Sequence, residues 1–128
     1  MTSPLSVVRA CLQAYVRKDR KAAEALIAGD YHFTSPIDNA LDRATYFEIC
    51  WPNSSVIAGF DLVYEAEQDD KAFVVYEGRT ATGRTFRNSE VHTVLDGKLV
   101  NTEVYFGWDV PHRLPQNKHA DNDGQGHA

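Results

Sequence analysis

The sequence predicts an α+β domain in which three helices pack on one face of a strongly bent antiparallel sheet. Three observations predict it. Apolar residues recur at helical spacing in the chain before Pro52. Loosely alternating strand-type runs fill 56–106. Short polar turns divide those runs, and Asp96-Gly97 is the clearest hairpin signal among them.

The elements follow in order. Ser3-Pro4 reads as an N-cap with proline at the first helical position. Leu5, Val8, Leu12, Tyr15 and Val16 then form the buried stripe of a helix that runs to about Lys18. Asp19 caps a short second helix carrying Ala22, Ala23, Leu26 and Ile27, and Gly29 is expected to end it in the left-handed conformation. A strand over 31–34 stops at Ser35-Pro36. Asp42 caps a third helix whose stripe is Ala44, Phe47, Cys50 and Trp51, closed by Pro52. Four strands are expected over 56–67, 71–80, 84–95 and 98–106.

Composition narrows the function classes. The chain has 128 residues, enough for one core, with 43% apolar and 24% charged residues. A net charge of -5 argues against nucleic-acid binding, which calls for a basic stripe. No apolar run approaches the roughly 18 residues of a membrane span. The N-terminal stretch lacks the pattern of a signal peptide, and two cysteines are too few for a disulfide framework, so a reducing cytoplasmic setting is expected. Residues 1–112 read as the folded domain and 113–128 as a polar, flexible tail. His119 and His127 in that tail lack metal-ligand spacing, and neither a ligand cluster nor a phosphate loop appears, so no metal or organic cofactor is implied.

The closing hairpin sets the expected register. A two-residue Asp96-Gly97 turn places Leu95 opposite Lys98, Thr93 opposite Val100 and Val91 opposite Thr102. Continued alternation puts Val91, Thr102, Val104 and Phe106 on the inner, apolar face. Glu90, His92, Glu103 and Tyr105 fall on the outer face, with Glu90 directly across from Glu103. Two opposed glutamates repel unless a cation, a shared proton or a second subunit neutralises them. This cluster reads as an acid–base site or as a dimer surface.

Three stretches, QAYVRKDRKAAEALIAGDYHFTSP, LDRATYFEICWP and EVHTVLDGKLVNTEVYFGWD, resemble the nuclear-transport-factor-2-like group, nearest its SnoaL-like branch, over roughly 4–110. The resemblance implies a cystatin-like cone, with helices and sheet enclosing a conical pocket for a small apolar or cyclic molecule, and a homodimer. It places Tyr15, Phe33, Ser35, Phe47, Trp51, Val91, Thr102, Val104 and Phe106 around that pocket. Ketosteroid isomerases of this fold carry a tyrosine matching Tyr15, but an aspartate where this chain has Ser35, and a second acid near Val91. A serine hydroxyl has no useful basicity near neutral pH. Limonene epoxide hydrolases of this fold imply an aspartate at Val104, a tyrosine and asparagine at Phe33 and Ser35, and an arginine and aspartate where Glu77 and Arg79 stand in swapped sign. Neither catalytic set is matched, while Glu77 and Arg79 form either a polar element of the pocket or an outward pair facing solvent or a partner subunit. Two functions remain: a ligand-binding protein, with or without cofactor-free isomerase, cyclase or hydrolase activity, and a dimeric interaction module whose cone is filled core.

Overall fold

The computed structural model describes residues 3–121. The chain runs α1 (Pro4–Arg17), α2 (Arg20–Leu26), β1 (Ile27–Ser35), β2 (Asp38–Asp42), α3 (Arg43–Ile49), a 3₁₀ segment (Trp51–Val56), β3 (Ile57–Gln68), β4 (Lys71–Thr80), β5 (Thr85–Leu95) and β6 (Lys98–Asp109). The six strands form one sheet in the order β2-β1-β6-β5-β4-β3. All neighbours are antiparallel except β1 and β6. The expected α+β cone, with helices on the concave side of a curved sheet, is the observed architecture.

Each helix starts where a side chain can satisfy its free amides. Ser3 Oγ accepts from the Ser6 amide at 3.2 Å, Asp19 Oδ1 from Ala22 at 3.1 Å, and Asp42 Oδ1 from Thr45 at 2.8 Å. Helix α1 ends on Lys18 in the left-handed region, φ 59°. Gly29 does not end α2 as expected. The helix stops at Leu26, and the branched, buried Ile27 is already extended and paired with Leu99 of β6. Strand β2, which the sequence reading omitted, folds back on β1 with Leu41 opposite Phe33. Val7, Val8 and Ala14 of α1 pack on Ala72, Val74, Val94 and Leu99 of the sheet to form the core.

The last hairpin corrects the expected register. Asp96 and Gly97 both have positive φ, 53° and 77°, as the tight turn requires, and Leu95 faces Lys98. Val94 then faces Leu99, but Thr93 faces Asn101, so Val100 is an extra residue on β6. This bulge shifts the pairing by one residue. His92 lies opposite Thr102, Glu90 opposite Val104, and Val91 opposite Glu103. Val91 therefore points outward, whereas Glu90 and His92 point inward. No glutamate pair opposes another across these strands.

Glu77 and Arg79 also lie on the outer face. Strand β4 buries Ala72, Val74, Tyr76 and Gly78, leaving the odd positions outside. Glu77 accepts from Arg87 at 2.6 Å, and Arg79 pairs with Asp61 while its guanidinium lies across Gly59, where a Cβ would not fit. No helix among the described residues is long and apolar enough to cross a membrane. Residues 113–121 form neither helix nor strand, His119 is exposed, and His127 lies outside the described residues.

Candidate functional site

The concave face of the sheet, α1, α3 and the 3₁₀ segment enclose a cavity of about 300 Å³. Its wall is largely aromatic. Tyr15 meets Trp51 edge-on with ring centroids 5.5 Å apart and Phe60 at 6.0 Å, and Tyr46 bridges Phe33 and Tyr31. Ser35, Ile37, Asp38 and Phe106 stand near the mouth, where Ile37 and Phe106 are exposed. Ser35 Oγ donates to Asp38 Oδ2 at 2.7 Å and accepts from the Ile37 amide at 3.2 Å, which fixes the β1–β2 turn.

A polar line crosses the floor. The inward positions of β5 are Asn88, Glu90 and His92. Tyr76 donates its phenol proton to Glu90 Oε2 at 2.6 Å. Glu90 Oε1 lies 2.7 Å from His92 Nε2, and His92 Nδ1 lies 2.9 Å from Thr102 Oγ. Glu90 and His92 are both buried, and buried polar groups of this kind are stable only when partnered. Asn88 Oδ1 accepts from the Gly107 amide at 3.2 Å, which turns its NH₂ toward the cavity and Tyr76. Gly107 is required for that approach, because a Cβ there would overlap the Arg87 carbonyl.

Burial and the Glu90 carboxylate hold the acidic groups of the wall in their neutral forms. Burial first, and then the Glu90 charge, pushes the Cys11 thiol up to about 12 and raises Tyr76 above the ordinary phenol value, while burial, then Cys50 and then Glu90 raise Tyr15. Burial and then Asp38 push Cys50 up to about 11. The thiols are accordingly poor nucleophiles, and the phenols are hydrogen-bond donors.

Tyr15, Phe33, Ser35, Trp51, Thr102, Val104 and Phe106 line the cavity. Phe47 does not. It is buried beneath it, with the Arg20 and Arg43 guanidinium carbons 4.9 and 5.2 Å from its ring centroid. The expected outer cluster is split. Glu90 and His92 turn in, while Glu103 and Tyr105 stay outside, joined by a 2.6 Å hydrogen bond. On β5 the acid that faces the cavity is Glu90, one position before the outward Val91. Sequence reasoning also missed Tyr31, Tyr46, Tyr76 and Asn88. The alternation of Ala72, Val74 and Tyr76 on β4 was the signal that could have found Tyr76.

No family model and no curated protein matches the sequence. Solved structures do match its fold. A protein from Kribbella flavida is 20% identical, with TM-score 0.75, covering 84% of this chain and 88% of its own. A nuclear-transport-factor-2-like protein from Burkholderia thailandensis is 25% identical, with TM-score 0.63 and coverages of 84% and 92%. TerC, co-crystallised with polyporic acid, is 19% identical, with TM-score 0.65 and coverages of 81% and 91%. The chain has the fold of the nuclear-transport-factor-2-like superfamily.

Proposed function

We propose that this chain is a SnoaL-like binding protein for a small, mainly apolar, cyclic molecule, and that Glu90, held in place by Tyr76 and His92, exchanges protons with it. One observation carries the reading: a hydrogen-bonded Tyr76–Glu90–His92–Thr102 line on the floor of a 300 Å³ aromatic-walled cavity. A cavity of this size lies at the small end of ordinary ligand sites, which are apolar with a few converging polar groups. TerC, which shares the fold, was co-crystallised with polyporic acid, and this supports a small-molecule ligand. A carboxylate held in this way acts as a general base, provided a reacting atom comes within hydrogen-bond reach. Tyr15, Phe33, Ser35, Trp51, Val104 and Phe106 would hold the ligand, with Tyr15 and Asn88 as donors to its oxygens. Hydrogen–deuterium exchange at carbon α to the carbonyl of small cyclic ketones tests this reading by NMR. The native chain should accelerate it and Glu90→Gln should not. Absence of both acceleration and binding would overturn it.

A packed cone would instead favour an interaction module, and the open cavity disfavours that alternative. We also propose that the outer face of the sheet pairs with a second copy of the chain. Phe73 and Tyr105 are exposed there beside half-buried Val91, and Arg87 Nε is buried without a hydrogen-bond partner among the described residues. Two free, unpaired thiols support a reducing, cytoplasmic setting.

A further inference from the structure

The charges around the cavity are one-sided. Among the described residues, its lining includes no lysine or arginine. It does include two carboxylates, Glu90 at the floor and Asp38 at the mouth. Glu90 accepts one hydrogen bond on each oxygen, from Tyr76 and from His92, and each oxygen retains a free lone pair. His92 does not have to be an imidazolium in this arrangement. Thr102 Oγ can donate to Nδ1 while Nε2–H donates to Glu90, which satisfies a neutral ring at both nitrogens. With the ring neutral, the Glu90 charge meets no cation among the described residues of the lining. Its effect is felt across the wall, where it adds to burial in raising Cys11, Tyr15 and Tyr76, as Asp38 does for Cys50. A second anion entering this space would be repelled and desolvated at once, whereas a cation would be paired. The aromatic rings of the wall add attraction for a cation at their faces.

We propose that the cavity selects a protonated amine carried on a ring-sized apolar body, with the ammonium at Glu90, and rejects carboxylates of the same shape. This rests on the cavity being the ligand site, and it adds the ligand's charge. Tryptamine, tryptophol and indoleacetate share one ring system and differ in that charge. Titration calorimetry near neutral pH should find tryptamine bound about tenfold more tightly than tryptophol, the effect of one desolvated cation contact, and indoleacetate bound most weakly. Glu90→Gln, checked for folding by circular dichroism, should lose the preference for tryptamine over tryptophol. Asp38→Asn, at the exposed β1–β2 turn, should narrow the preference even if Glu90→Gln fails to fold. Equal binding of tryptamine and tryptophol, tighter binding of indoleacetate, or a preference that survives both substitutions would overturn the amine assignment and leave the cavity reading standing. Failure of all three compounds to bind would overturn both.

Discussion

Glu90 is a buried carboxylate whose position is set by donors from two directions, Tyr76 on β4 and His92 on its own strand. Removing one of them leaves a buried acceptor short of a partner. Tyr76→Phe should therefore destabilise the fold by about 1–3 kcal/mol, read from urea unfolding, with little change in the secondary structure seen by circular dichroism. The thiols give a separate test. Cys50 is raised from 9.0 to about 11, mainly by burial, so the folded chain holds that proton more tightly than the unfolded chain. Its contribution to stability is complete below pH 9 and is lost as pH climbs toward 11. Melting temperatures followed across that window should fall less steeply in Cys50→Ala than in the native chain. A parallel fall would mean that the thiol is not protected.

Strands and helices differ in how far they could be read in advance. The helix starts were legible because Ser3, Asp19 and Asp42 each precede an apolar period and each does cap a helix. The Asp96-Gly97 turn was legible for the same kind of reason, since both residues take the left-handed conformation that the turn demands. The floor of the cavity was not legible. Val100 differs in no local way from its neighbours, and only tertiary packing makes it the unpaired residue of a bulge. That one residue decides whether Glu90 or Val91 faces the cavity, because side chains alternate with a period of two. Strand β2 was missed because Asp38–Asp42 is short and mostly exposed, with little apolar alternation to mark it. A second irregularity, at Gly107, sets the approach of β6 to β5 near Asn88. Gly107→Ala would force a methyl group against the Arg87 carbonyl. It should destabilise the protein by about 1–3 kcal/mol, measured by chemical unfolding, and disturb the Asn88 signals in NMR spectra.

At the scale of the whole molecule, one face of the sheet lines the cavity and the other carries exposed aromatic side chains. The outer face carries Phe73 and Tyr105 in the open, with the Glu77–Arg87 ion pair already partly shielded beside them. Sedimentation at micromolar concentration should show a species of twice the 14.3 kDa chain mass, and Tyr105→Glu should return it to the single chain. A monomer in the native protein would remove the assembly proposal without touching the cavity. The parallel pairing of β1 with β6, which sets Phe33 opposite Thr102, has a consequence in time. One wall of the cavity comes from an early part of the chain and the facing floor from the last strand. Contacts this distant in sequence form late and slowly. Until β6 docks there is no enclosed space for a ligand to recognise, so a ligand cannot guide folding. It acts on the finished molecule by slowing its opening, and its presence should register in the unfolding rate while the refolding rate stays the same.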